Sequence, residues 1–346
     1  MSTFAGANSI VSHPGQLSRL RLYWCSCYSV IGWYAAYKFE TGIMSTWSRL
    51  FWLPLALVIA ACSEQVPEKP LQYSNAPVGQ NLPVYRLVPH PLYNPKTLSE
   101  VMQPLVDHLN LHLKGVRLEL ETSRDYQAFE AKFRAREAEI LMPNPWQTIQ
   151  AQKVGYKVLA MWGEAQDFKG IFIVRKDGTV KVPADLRGKA VSYPSPTALA
   201  AAIMPQYFLH QQGIKVSSEI NNLYVGTQES SIMNVYMGTV AAGATWPPPW
   251  RKFQKDHAAE ASQLKIIWET PPLVNNSVMM RSDLDPAIGQ QITQMLLALP
   301  ETPEGRKILE RLETSRFGAA NDASYDVVRD YIARFERDVR SIEQQP

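Results

Sequence analysis

From residue 83 onward the chain alternates between two rhythms of apolar and polar positions. Val84-Tyr85-Arg86-Leu87-Val88 changes side at every residue, the period of a half-buried strand, and His90-Pro91-Leu92-Tyr93-Asn94-Pro95 follows as a turn. Between Thr97 and Leu113 the apolar positions are Leu98, Val101, Met102, Leu105, Val106, Leu109 and Leu113, a three-to-four spacing that lines one face of a helix. The same reading predicts a strand at 116–121, a helix at 125–136, and a short strand at 138–142 that ends in Pro143-Asn144-Pro145-Trp146. A helix at 148–153 and strands at 157–161 and 170–175 complete this run.

After the turn Lys176-Asp177-Gly178 the pattern restarts. Strands are predicted at 189–191, 222–226, 240–245 and 264–268, and helices at about 198–212, closed by Gly213, and at 230–237. Ser277-Val-Met-Met280 reads as a further strand, and 288–299, 303–312 and 325–336 as helices. Strands alternating with helices imply an α/β fold with largely parallel sheets. Two such runs make two lobes, the first completed by the C-terminal part, with crossovers near Arg175–Gly178 and Glu269–Leu273. The division is 83–176 plus 270–346 for lobe 1 and 177–269 for lobe 2. A two-lobed clamshell places its ligand in the cleft, among the loops that follow the strands.

The N-terminal region has another character. Leu50 to Ala61 is a short apolar run preceded by Arg49 and followed by Cys62-Ser63, the layout of a secretory signal peptide, and it is short of the roughly 20 residues of a membrane span. Ile59-Ala60-Ala61-Cys62 matches a bacterial lipobox, whose cysteine is acylated through sulfur and begins the mature chain. The competing readings are an uncleaved anchor or an incidental cysteine. Residues 44–61 are thus expected to be a signal peptide starting at Met44, residues 1–43 an upstream over-extension of the reading frame, and 62–82, rich in Pro, Gln, Glu and Asn, a tether. The apolar segment Tyr23 to Tyr37 admits the alternative of a membrane helix.

This cleavage changes the composition. The whole chain has 35 Lys+Arg against 32 Asp+Glu, whereas residues 62–346 carry 31 of each, so no basic surface argues for nucleic acid. Of three cysteines only Cys62 remains, which leaves no disulfide, thiolate metal site or cysteine nucleophile. His108 and His112 share a helix face without the glutamate of a metalloprotease motif. No metal or other cofactor is expected.

The stretch from Val191 to Met204 holds the most chemistry. A strand end is followed by Ser192, Tyr193, Pro194, Ser195, Pro196 and Thr197, and then by an Ala/Leu-rich helical run. Hydroxyl residues before a helix act as caps, and a helix start offers unpaired N–H groups at the positive end of its dipole, together a candidate oxyanion site. Pro194 and Pro196 remove two N–H groups from that cradle.

Several motifs extend this reading: Asp125-Tyr126, Asp185-Leu-Arg-Gly-Lys189, Val191-Ser-Tyr-Pro-Ser-Pro-Thr197, Gly226-Thr-Gln228, Pro271-Pro-Leu-Val-Asn-Asn276, Asp283-Leu-Asp-Pro286 and Thr302-Pro-Glu-Gly-Arg306. In this order the chain resembles the type 2 periplasmic binding proteins of the phosphate/phosphite/phosphonate ABC-transporter group (PhnD-like), over most of Val84 to Tyr331. The resemblance implies an oxyanion gripped by Ser192, Tyr193, Ser195 and Thr197. Two departures stand out: Gly226-Thr227-Gln228 stands where many relatives have Gly-Ser-His, which replaces a possible imidazolium contact by a neutral amide, and Thr245-Trp246 stands where an acidic residue suited to a ligand amine is common, which weakens an aminoethylphosphonate-like ligand. Asn144 and Gln228 are expected as neutral partners, and Tyr93, Trp146, Tyr193, Trp246 and Trp250 as an aromatic wall, which suits a ligand with an apolar portion. The expected function is a monomeric, lipid-anchored solute-binding protein on the periplasmic face of a bacterial membrane, handing a small anion to an ABC permease. A ligand-sensing module for a membrane receptor or kinase is the alternative. No nucleophile–base pair or glycine-rich nucleotide loop argues for an enzyme.

Overall fold

The computed structural model describes residues 82–342. The expected upstream extension (1–43), the expected signal peptide (44–61), Cys62 and all but the last residue of the expected tether (62–82) lie outside the described residues. So does the Tyr23–Tyr37 segment. Two mixed sheets organise the described chain. The first contains β1 (Val84–Pro89), β2 (Arg117–Leu120), β3 (Ile140–Met142), β4 (Tyr156–Trp162), β10 (Ser277–Arg281) and β11 (Phe317–Ala319), in the order β11-β4-β10-β3-β1-β2. The second contains β5 (Ile171–Arg175), β6 (Ala190–Tyr193), β7 (Asn221–Tyr224), β8 (Ala242–Thr245) and β9 (Leu264–Glu269), in the order β7-β6-β8-β5-β9.

The sheets share a design. Each has a parallel core, β2-β1-β3 in one and β7-β6-β8 in the other, and an antiparallel strand beside it. That antiparallel strand is β10 in the first sheet and β5 in the second, the strand that arrives from the opposite lobe and therefore enters from the cleft side. The expectation of largely parallel sheets is corrected accordingly. The first crossover also moves: Ile171–Arg175, placed in lobe 1 from the sequence, pairs with β8 and β9, so the chain passes between sheets at 163–170 rather than 175–178. Ile171 and Ile173 join a core with Ile232, Val235, Trp250 and Phe253, while Phe172 and Val174 face the other side of the sheet.

Local rules explain the helices. Pro95–His112 starts at Asn94, whose Oδ1 accepts from Thr97 N at 3.0 Å, and buries the predicted stripe Leu98, Val101, Met102, Leu105, Val106 and Leu109. Pro145–Lys153 opens with a reciprocal box between Asn144 and Gln147, each side chain bonded to the other's backbone N at 3.1 Å. Pro247–Asp256 is a helix that the proline run concealed; its first three residues are prolines, at positions where an N–H has no helical partner. The last helix, Asp326–Asp338, packs on Pro145–Lys153 and then reaches the second lobe. Beyond it Arg340 donates to Pro196 O at 2.8 Å and to Gln206 Oε1 at 2.9 Å, with its guanidinium over the rings of Phe335 and Tyr224.

Candidate functional site

One edge of each sheet faces the cleft. The C-terminal ends of the parallel strands meet it, as do the N-terminal ends of the two antiparallel strands. Side chains from those ends line a small, narrow cavity that is open to solvent on one side. His90 follows β1, Asn144 follows β3, Gln228 lies beyond β7 and Trp246 follows β8; Phe168 precedes β5 and Asn276 precedes β10. Tyr126 comes from the start of the helix Tyr126–Arg134. The backbone of Ala198 to Ala201 closes the second-lobe side.

That backbone is the start of a helix, with a wide turn over Leu199–Ile203 running into Met204–Gln211. Ala202 N and Ile203 N both donate to Ala198 O, at 2.7 and 3.2 Å. The preceding amides of Leu199, Ala200 and Ala201 have no acceptor among the described residues. Three donors at the positive end of a helix therefore lie in the stretch that borders the cavity, and the small alanine side chains leave its backbone approachable. Arg340 sets a half-buried positive charge behind this loop through its bond to Pro196 O.

The remaining lining is neutral. Asn276 is buried, and neither its Nδ2 nor its Oδ1 has a partner among the described residues. Its backbone is fixed, with its N–H on Asn275 Oδ1 (2.8 Å) and its carbonyl on Trp162 N (2.7 Å), so the amide is held at the cavity wall. An unpaired buried amide in a native fold is a ligand contact in waiting. Asn144 Nδ2 donates across the cleft to Thr197 O (3.1 Å). Gln228 spans it in the other direction, accepting from Thr245 Oγ1 (2.8 Å) and donating to Tyr126 Oη (3.3 Å). Burial pushes the Tyr126 hydroxyl above its ordinary range, so it stays a neutral donor or acceptor. Phe168 and Trp246 pack together with ring centres 5.5 Å apart and supply an apolar wall.

His90 is the one imidazole in the lining. Its backbone N–H and its Nδ1 both bond Met142 O at 3.0 Å. A carbonyl only accepts, so Nδ1 carries the proton and Nε2 is left as an acceptor. Burial lowers the pKa to about 4, which keeps the ring neutral in the empty site.

Asn144, Gln228 and Trp246 from the sequence reading are brought together here. The hydroxyls proposed as the grip are engaged elsewhere: Ser192 Oγ donates to Ser231 O (2.9 Å), and Ser195 and Thr197 hydroxyls bond each other at 3.0 Å. The backbone amides without an acceptor lie a few residues further on, at Leu199 to Ala201, where residue type cannot advertise them. Tyr193 packs in the core against Tyr224, Trp146 is buried at its helix start, and Trp250 belongs to the second-lobe core. Tyr93 lines a different cavity with Thr97, Pro249, Phe253 and His257. Sequence reasoning missed His90, Phe168 and Asn276 as lining residues. Their shared signal is position, since each stands immediately or nearly immediately outside a strand end.

Residues 87–325 match the family described as "ABC transporter, phosphonate, periplasmic substrate-binding protein". The phosphonates-binding periplasmic protein of Escherichia coli K12 is 21% identical over 163 residues, which are 46% of this chain and 48% of that protein, so the match spans about half of that relative's length. Among solved structures, PhnD1 of Prochlorococcus marinus in complex with methylphosphonate superimposes with a TM-score of 0.67 at 20% identity, over 73% of this chain and 98% of that one. A binding protein component of an ABC phosphonate transporter from Pseudomonas aeruginosa gives 0.69 at 15% identity, over 75% and 88%. Those identities speak for the fold; the family model, which covers well over half of the chain, speaks for descent. With its two sheets and cleft as described, the chain belongs to the periplasmic phosphonate substrate-binding proteins of ABC transporters.

Proposed function

We propose that this protein captures a small tetrahedral oxyanion with a short apolar substituent, of the methylphosphonate kind, and delivers it to an ABC permease. The observation that carries the reading is the convergence of the three unpaired amides of Leu199, Ala200 and Ala201 with the unpartnered amide of Asn276 on one cavity. Oriented N–H dipoles stabilise an anion without a counter-charge, because they are already aligned when the ligand arrives. Phe168 and Trp246 offer the apolar contact that a C–P substituent has and a bare phosphate lacks. The lining contains no carboxylate to hold a ligand amine, so short alkyl phosphonates fit better than aminoalkyl ones. The family binds and hands over its solute, and the site is read as a binding site without chemistry.

Binding would hold the two lobes together, and the closed form is the one a permease would recognise. Acylation at Cys62, with 62–82 as tether, would keep the protein on the periplasmic face of its membrane. Thermal unfolding with methylphosphonate, phosphate, methanesulfonate and acetate tests the proposal. Ligand at a hundred times its Kd adds about 2.7 kcal/mol to stability, a shift of several degrees. Methylphosphonate is expected to give the largest shift. No shift with any of the four refutes anion binding.

A further inference from the structure

His90 is the feature of the cavity that anion binding by amide donors leaves unexplained. An anion site built only to attract charge would present donors, yet Nε2 of His90 presents a lone pair. The geometry leaves little choice. Met142 O binds Nδ1–H, and the ring is wedged edge-on between Tyr126 and Trp162, with centroid separations of 6.1 and 6.4 Å and interplanar angles of 64° in both cases. Nε2 has no partner among the described residues and the residue borders the cavity. A fully deprotonated oxyanion placed against that lone pair would meet repulsion. An oxygen that carries a proton would find its acceptor.

Building on the oxyanion reading, we infer that His90 is a specificity-determining residue that counts protons on the ligand: it accepts a hydrogen bond from one P–OH group, so the site takes a phosphonate together with one proton. The balance is simple. A monoanion brings its own proton and binds as it is. A dianion must take one proton from solvent on binding, and that proton is shared between the phosphonate oxygen and Nε2. A sulfonate, a monoanion whose oxygens stay unprotonated, leaves Nε2 facing a lone pair and is rejected.

The groups around the ring support this assignment. The elements packed on it present Tyr126, Trp162 and the Met142 carbonyl, Asn276 borders the cavity from the same sheet, and the opposite wall presents Ala198 to Ala201, Gln228 and Trp246, none of them charged. Of the carboxyls at the Tyr126–Arg134 helix, Asp125 caps its start, accepting from Ala128 N at 2.7 Å, and the other is Glu130. It accepts from Gln147 Nε2 at 3.2 Å and Arg134 Nη2 at 3.4 Å, lies outside the cavity lining, and is pushed up by burial. It is the competitor that the experiment must separate. Burial of His90 keeps its ring in the acceptor form before ligand arrives.

The experiment is titration calorimetry of the full chain in detergent micelles with methylphosphonate, in buffers of different ionisation enthalpy, at pH values above and below the ligand's second ionisation. Above it, the wild type should take up one proton per ligand, and Kd should rise about tenfold per pH unit. Below it, uptake should vanish and methylphosphonate should bind about 10- to 100-fold more tightly than methanesulfonate, the range expected when a buried polar group loses its partner. His90→Phe should abolish the uptake and narrow the preference, while Glu130→Gln should keep both. Measurable binding with no proton uptake in the wild type, or uptake lost in Glu130→Gln, overturns the inference while leaving anion binding intact. Absence of binding for every ligand removes the oxyanion reading itself. Should His90→Phe not fold, the wild-type proton count and the sulfonate comparison still decide the matter.

Discussion

Replacing Asn276 by Leu should make the empty protein more stable and the ligand-binding protein worse. The side chain is 1% exposed, and both its polar atoms lack partners among the described residues. Leaving one buried polar group unpaired costs about 1–3 kcal/mol. A leucine of similar size removes two such groups and adds apolar contact beside Phe168 and Trp246, which border the same cavity. The two atoms belong to one amide group, so the expected gain is about 1–3 kcal/mol in total rather than twice that. For a protein of this size that corresponds to a rise in Tm of roughly 2–4 °C per kcal/mol. The loss on the other side is a hydrogen bond to a charged group, worth about 1.5–3 kcal/mol, or roughly 10- to 150-fold in Kd for methylphosphonate. Scanning calorimetry of wild type and variant without ligand, and titration calorimetry with it, measure the two halves. A variant that melts lower than wild type and binds equally well would refute the claim that Asn276 is held unpaired for a ligand.

Three further outcomes follow from other parts of the molecule. Gly170→Ala would put a Cβ 2.6 Å from Ala200 O and 2.8 Å from Pro205, so it should cost about 1–3 kcal/mol in urea unfolding and weaken binding by shifting the cradle, whereas Gly318→Ala, whose Cβ meets Met161 at an ordinary 3.6 Å, should do neither. His90, at about 4 in the folded protein against 6.5 unfolded, binds its proton more readily in the unfolded chain, so the stability present above pH 6.5 should fall by about 3 kcal/mol as pH drops through that window to 4. Urea unfolding at pH 7 and pH 4.5 should show this loss shrink in His90→Phe; an unchanged loss would locate the acid sensitivity elsewhere. Cys62→Ala protein should leave the membrane fraction for the soluble one, and its persistence with membranes would exclude thioether anchoring at that residue.

The alternation of rhythms was enough to place most elements, because burial on one face writes itself into a strand or helix directly. It failed where that link is cut. β5 is apolar on both faces, and its neighbours β8 and β9 lie some 70 to 100 residues away, so nothing local says which sheet it joins. The helix Pro247–Asp256 hid behind prolines that break a helix interior yet suit its first turn. At three residues, β11 is too short to show a period. The site was half legible for a similar reason. Val191 to Met204 stood out by its hydroxyls and prolines, but those hydroxyls bond within the protein, and the unpaired donors of the stretch are amides of Leu199, Ala200 and Ala201, whose side chains carry no chemistry. His90 and Asn276 stand 186 positions apart in sequence and meet only because β1 and the start of β10 lie two strands from each other in one sheet.

The crossing made by Arg340 bears on how freely the lobes can move. Two connecting segments act like the two pins of a hinge and leave both swing and twist available. A third attachment, from the end of the Asp326–Asp338 helix to Pro196 and Gln206, removes one of those degrees of freedom. To open widely the molecule must either release both Arg340 bonds and its seat over Phe335 and Tyr224, or carry its own C-terminal segment along with the second lobe. Release of a clasp with several simultaneous bonds is cooperative. The clasp holds Pro196 O three residues before Leu199, the first of the amides without an acceptor, so any swing of the lobes pulls directly on that stretch of backbone.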